Sequence, residues 1–266
     1  MRARTAGRRP RRAQAPTAAA GAVARQSAHP LRVLGIDIGG SYLKAAVLDA
    51  SGRMLTEKIK VKTPDPCPPQ VMVGALVRLV RPLPPCNHIA IGFPGVVRNG
   101  RVLTAPHWGN KPWANFALAR TLSRRLGGAP ARLINDAEMQ GLAVIRGKGL
   151  ELVLTLGTGA GTALFRDGQI MPHLELAQHP IHKSSSYNDY VGAAAVKRIG
   201  RKRWNKRVAR TIEILHSLLN YDHLFIGGGN AAKITIRLPH DASVVSNDAG
   251  IEGGAALWRA GFRPPP

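Results

Sequence analysis

The sequence predicts an α/β protein of two lobes with a cleft between them. Two observations carry that expectation. Each half of the chain begins with paired strands and then alternates helix with strand. Each half also opens with a glycine-rich turn between its first two strands: Asp37-Ile38-Gly39-Gly40 in one, Gly157-Thr158-Gly159-Ala160-Gly161 in the other. With 266 residues, 44% of them hydrophobic, the chain can bury one large or two modest cores. The division is expected near residues 127–132, giving lobes 31–130 and 131–266.

An apolar run (Leu31, Val33, Leu34, Ile36) reaches Asp37 and two glycines, and Ala45-Ala46-Val47-Leu48 follows. Two strands joined by a tight turn fit this pattern. Residues 53–62 read as a third strand and 63–69 as a proline-rich turn. Residues 71–80 read as a helix with Val73, Leu76, Val77 and Val80 on one side. Residues 88–93 form a short buried strand ending in Gly92-Phe93-Pro94-Gly95, and Asn99-Gly100 signals a hairpin. Residues 106–113 read as an irregular loop, and 115–126 as a helix stopped by Gly127-Gly128. In the second half, strand 132–134 runs into Asn135-Asp136, a helix covers 137–145, and strands 150–156 and 162–165 flank the second glycine turn. Helices are expected at 190–199 and 206–219, with strands at 223–226 and 243–245. A closing helix at 251–259 is expected to pack back toward the first lobe.

The formal charge is +23, and the first 30 residues hold seven arginines and no acid. The remainder keeps 31 Lys+Arg against 15 Asp+Glu, so the body is basic as well. That balance implies affinity for polyanions. Residues 1–30 lack apolar periodicity and read as a disordered basic tail, Arg-rich like an organellar transit peptide but without the apolar segment of a secretory signal. They also hold too few apolar residues for a helix-turn-helix, which argues against DNA as partner. No stretch approaches the roughly 20 apolar residues of a membrane helix. Cys67 and Cys86 have the spacing of neither a disulfide framework nor a zinc site, so a reducing cytoplasm is the expected setting.

Four features each follow a strand: Asp37-x-Gly39-Gly40, Asn135-Asp136, Gly157 to Gly161, and Gly227-Gly228-Gly229-Asn230. Strand ends that converge on a cleft are where α/β proteins place ligands. Uncovered backbone N–H groups in glycine turns bind phosphate, and an adjacent carboxylate can hold Mg²⁺ or its water shell. Neither a P-loop motif nor a Rossmann fingerprint occurs. Each feature has a plainer reading. The Asp37 turn fits an ordinary hairpin equally well, and Asp136 before a helix also reads as an N-cap. The run Lys197, Arg198, Arg201, Lys202, Arg203, Lys206, Arg207, Arg210 fits a solvated helix face as well as a guide for polyphosphate.

Taken together, these motifs resemble the ROK (repressor, open reading frame, kinase) family of sugar kinases over residues 31–262, and within it the polyphosphate-dependent glucokinases. The resemblance implies an actin/hexokinase-like (ribonuclease-H-like) fold. It implies that Asp37, Gly39, Gly40, Ser41 and Lys44 form a first phosphate turn, with Asp37 on the Mg²⁺ side through water. Gly157, Thr158, Gly159 and Gly161 resemble a second phosphate turn. Gly227, Gly228 and Gly229 resemble the segment that a nucleotide's adenosine lies against. Asn135 and Asp136 match a sugar-binding Asn and the catalytic Asp, Asn110 is loosely similar to a sugar-contacting Asn, and Glu175 resembles a glutamate that holds sugar hydroxyls. Many relatives continue Glu-x-Gly-His and then a cysteine-rich zinc motif. Here the stretch is Glu175-Leu176-Ala177-Gln178-His179, so Gln178 or His179 stands in for that histidine, and no zinc is implied.

The resemblance thus implies a kinase that phosphorylates the 6-hydroxyl of glucose, with polyphosphate, ATP or both as donor. A sugar hydroxyl needs a base as it attacks phosphorus, and Asp136 is the expected one. The remaining catalysis is positioning and charge neutralisation. Two other readings compete: a sugar-responsive protein that has lost catalysis, suggested by Gln178, and a nucleic-acid-binding protein with a kinase-like body. The chain is compatible with a homodimer.

Overall fold

The computed structural model describes residues 30–264; the expected basic tail lies almost wholly outside them. Two five-stranded sheets repeat one plan. In the first, β1 (Val33–Ile38) and β2 (Tyr42–Leu48) form the hairpin, β3 (Ile59–Lys62) extends it, and β4 (His88–Phe93) lies parallel to β1. A small hairpin follows, β5 (Val97–Arg98) with β6 (Arg101–Val102). Then β7 (Ala131–Asn135) completes the order β3-β2-β1-β4-β7. In the second sheet, β8 (Leu150–Leu156), β9 (Ala160–Arg166) and β10 (Gln169–Ile170) are antiparallel neighbours. A ribbon of β11 (Pro180–His182) and β12 (Ser185–Ser186) intervenes. Then β13 (His223–Gly227) and β14 (Ala242–Val244) add on in parallel to give β10-β9-β8-β13-β14.

Helices cover the outer faces. α1 (Pro69–Val80), which starts on a proline whose missing N–H costs nothing there, packs with a short α2 (Asn110–Trp113) and α3 (Leu118–Arg125) on the first sheet. α5 (Tyr187–Val191) and α6 (Ala193–Leu219) cover the second. Between the sheets lies α4 (Asp136–Val144), whose Met139 belongs to the core shared with the first sheet and whose Ala137 joins the core under the second. The chain closes with α7 (Ala249–Glu252) and a 3₁₀ turn, Gly253–Trp258, both against the first sheet and α4.

Several sequence expectations shift for physical reasons. The strand at residues 131–135 pairs with β4, so it belongs to the first sheet although the expected second lobe began at 131. Helix 115–126 starts three residues late because Asn115 sits at φ 60, outside helical space. The loop at 106–113 contains the turn of helix α2. The helices expected at 190–199 and 206–219 differ in extent: α6 runs nearly continuously, broken only at Gly200 (φ 76). The closing helix tightens into 3₁₀ where Gly253 presses on the Met139 carbonyl, a contact no side chain could share. No described helix is long and apolar enough to cross a membrane.

Candidate active site

Both glycine turns point into one cleft. Its cavity of about 500 Å³ lies within the size range of ligand pockets. In the first turn, Gly39 N–H is closed by Tyr42 O (3.0 Å), and Thr63 Oγ1 donates to Gly39 O (2.7 Å). In the second, Gly157 N–H is closed by Gly159 O (2.9 Å), and Asn188 Oδ1 accepts from Ala160 N–H (2.8 Å). The turns meet across the cleft, where Ser41 Oγ lies 3.0 Å from Thr158 Oγ1. A side chain at Gly40 would push against Thr158, so glycine there permits the approach. Lys44, opposite Asp37 in the β1–β2 register, donates to Asp37 Oδ2 at 2.8 Å.

Asn135 and Asp136 sit where β7 becomes α4. Asn135, not Asp136, is the N-cap: its Oδ1 accepts from Ala137 N–H (2.8 Å) and Glu138 N–H (3.3 Å), and Glu138 Oε2 accepts from Asn135 N–H (3.1 Å). Its Nδ2 donates to Gly95 O (3.2 Å) and Phe93 O (3.4 Å). Every donor and acceptor of this amide is therefore in use. Asn135 lines the cavity with its side-chain amide engaged in this way.

Asp136 occupies the next position, partly buried on the cavity floor. Burial, then the nearby Asp37 charge, push its carboxyl up to about 7, against the opposing pull of the Ala137 N–H bond and the His173 charge. A carboxyl in that range can accept a proton near neutral pH.

Glu175 lines the cavity, and His173 stands behind it. His173 Nδ1 lies 3.2 Å from Glu138 Oε1, and Nε2 is 3.5 Å from Glu175 Oε2, an ion-pair distance without hydrogen-bond alignment. Burial alone would lower this histidine; the Glu138 and Glu175 carboxylates override it and raise it to about 9. His173 was not among the residues expected from sequence. Its signal was present: it lies two residues before Glu175, the spacing that puts side chains on one side of extended chain.

The structure separates the remaining candidates. Gln178 lines the cavity; His179 is exposed, 6.4 Å from the Tyr187 ring, and points out of it because the 3₁₀ turn Leu176–Gln178 ends there. Asn110 is also outside, its Oδ1 accepting from Ala105 N–H (2.8 Å). His107 faces the cleft from the same loop instead. Its surroundings hold it below the ordinary imidazole value, with Glu175 opposing. Gly228 and Gly229 line the cavity, whereas Gly227 is buried behind it against Gln140, which has room only for a hydrogen there. Gly161 lines it beside Ala137.

In the α6 run, Arg198 donates to Asp189 O, Arg201 to Lys233 O and Arg207 to Tyr190 O, while Arg210 pairs with Glu213. Three of these eight cations dock the helix onto its own lobe, and Arg210 is paired within the helix. Among the described residues no group of three His, Cys, Asp or Glu is placed to hold a metal. A lone carboxylate suits Mg²⁺, which keeps most of its waters and takes the rest of its shell from substrate phosphates.

Paired glycine turns, a strand-end carboxylate and a duplicated sheet plan define a two-lobed sugar-kinase-like architecture. The sequence profile of the ROK family matches residues 33–182, and the chain belongs to that family. It is 30% identical over 238 residues to a polyphosphate glucokinase of Mycobacterium tuberculosis, covering 83% of this chain and 89% of that one. The inorganic polyphosphate/ATP-glucomannokinase of Arthrobacter sp. strain KM superposes with a TM-score of 0.75 at 29% identity, over 85% of this chain and 97% of that one. A ROK glucokinase of Streptomyces griseus, solved with glucose and AMPPNP, shares the fold at 22% identity and a TM-score of 0.66, over 85% of this chain and 98% of that one. The fold is the two-lobed actin/hexokinase-like one.

Proposed function

We propose that this protein transfers a phosphoryl group to the 6-hydroxyl of glucose, with polyphosphate as preferred donor and ATP as a second. The observation that carries the reading is Asp136. It is fixed at the N-terminus of α4 on the cavity floor, opposite two phosphate-type turns joined by Ser41 and Thr158. The likeness to polyphosphate glucokinases supports the donor and the sugar.

In the reaction Asp136 accepts the proton of the 6-hydroxyl as its oxygen bonds to the terminal phosphorus. The bridging P–O bond of the donor breaks, and its electron pair leaves with the shortened donor. The turns at Gly40-Ser41 and Thr158-Gly159 hold phosphate oxygens by backbone N–H groups. Glu175 and Gln178 hold sugar hydroxyls from the other side. Mg²⁺, when bound, supplies charge neutralisation at the donor oxygens, and Asp37 is the carboxylate that would hold it through water.

A coupled assay with glucose, mannose or N-acetylmannosamine, Mg²⁺, and either ATP or polyphosphate tests the reading. The expected result is glucose 6-phosphate with both donors, faster with polyphosphate. A strict ATP requirement refutes the donor preference, and preference for another sugar refutes glucose. Gln178, where relatives have histidine, favours one second reading, a sugar sensor without catalysis. Glucose binding with no product from either donor would establish it.

A further inference from the structure

We infer that the cleft-side face of β2 and β3 is a binding track for a linear polyphosphate chain, with Lys44, Lys60 and Lys62 as its rungs and Tyr42 between them. The inference rests on the donor proposed above and adds where the chain beyond the reacting phosphate lies.

The track is written in the sheet register. Asp37, Lys44 and Lys60 are successive partners across β1, β2 and β3, and Tyr42 pairs with Lys62 one step along. In a strand, residues two apart share a face. Lys58, Lys60 and Lys62 therefore stand on one face of the β3 segment, while Ile59 and Val61 turn the other way, opposite Ala45 and the core residue Leu43. Lys44, Lys58 and Lys60 line the same cavity as the first glycine turn. Lys60 Nζ hangs 5.6 Å from the Tyr42 ring centroid. The rungs thus start at the turn that holds the reacting phosphate and lead to the sheet edge, about 5 Å per strand.

Charge at this face is only partly balanced by the protein. Asp37 neutralises Lys44, and Asp248 pairs with Lys58 across the cleft mouth. Among the described residues Lys60 and Lys62 take part in no ion pair. Like charges directly opposite each other destabilise a sheet, and Lys44 faces Lys60. Lysines on an edge strand also discourage edge-to-edge pairing. That role covers Lys60 and Lys62 on the edge strand, and Asp37 pairs with Lys44, but neither accounts for the lysines running as one row from the first turn through the cavity to the edge. A linear polyanion, with a charge on every phosphate, satisfies all of these rungs at once. A nucleotide carries only three phosphates, whereas a polyphosphate chain has a charge for every rung.

The test uses the full chain with Lys60→Ala, Lys62→Ala and the double variant. Lys148→Ala, which removes the same charge from an exposed loop at the end of β8 opposite the second glycine turn, is the control. Polyphosphate binding is measured without sugar, across salt concentrations and chain lengths, and KM for polyphosphate, ATP and glucose is measured in turnover. The expected result is a KM increase that grows with chain length. The slope of log affinity against log salt should fall by roughly 1–2 in the double variant, with KM for ATP and glucose and the Lys148→Ala variant as in wild type. Unchanged long-chain KM and salt slope, or an equal loss in Lys148→Ala, overturns the track. Wild type that turns over ATP but not polyphosphate refutes the donor reading separately. In that case the binding arm still decides the track, which stands only if the double variant loses salt-sensitive polyphosphate binding.

Discussion

Replacing Asp136 by Asn tests the centre of the argument, because it separates catalysis from stability in opposite directions. The fold holds this carboxyl at about 7 instead of 3.8. At ~1.36 kcal/mol per pH unit, that corresponds to ~4 kcal/mol for a fully buried group. Asp136 is open to the cleft on one side, so water screens the cost to ~1–2 kcal/mol. The folded pKa is raised, so the group's contribution is fully favourable below 3.8 and is lost as pH rises through 7. Asn keeps the bond to Ala137 N–H and carries no charge, so the variant should match wild type near pH 4 and exceed it at pH 8. Melting should rise there by about 2–8 °C. Turnover should fall at least ~100-fold, the low end for removing a general base. Paired melting curves at the two pH values and a coupled glucose assay read both effects. Near-normal turnover, or a variant less stable than wild type at pH 8, would refute the assignment of Asp136 as a desolvated base.

Three further outcomes follow from the site. The wild-type pH–rate profile should lose about tenfold per unit below about 7, because protonated Asp136 cannot accept the hydroxyl proton; a flat profile from pH 5 to 8 contradicts this. His173→Asn removes the cation between Glu138 and Glu175, so KM for sugar should rise and the acid limb of the profile should move to higher pH. Its folded value is raised to about 9, so wild type should hold a stability advantage over this variant below 6.5 that fades as pH rises through 9; a pH-independent difference in urea midpoint would count against the ion pairs. Gly253→Ala should destabilise by several kcal/mol, of order 2–4, because its methyl would enter the Met139 carbonyl; an unchanged melting temperature would show that the 3₁₀ turn can move aside.

Much of this was legible from glycine and from strand periodicity. The two turns, the strands that feed them and the Asn135-Asp136 step all lie within a residue or two of their expected places, because turn chemistry is local. What depends on packing was not legible. Whether strand 131–135 joins the first or the second sheet is decided by its pairing with β4, which no local pattern encodes. Asn110 and His107 lie three residues apart in one loop, and only the folded loop shows that Asn110 serves a backbone amide while His107 faces the cavity. The pairing of His173 with Glu138, 35 residues away, is likewise set by the fold alone.

The helix that carries Asp136 is seated in notches. Gly92 of β4 and Gly253 of the closing turn meet Met139 from one side, and Gly161 of β9 meets Ala137 from the other. Gly141, on the helix itself, admits the Phe165 ring. From both lobes α4 is therefore met at points where an added methyl group would not fit: Gly92 and Gly253 on one side, and the Phe165 ring over Gly141 on the other. The cavity lining at His107, Glu175 and Gln178 comes instead from loops outside these notches. Substitutions in those loops can therefore reshape the cavity wall without disturbing the seat of the helix that carries Asp136.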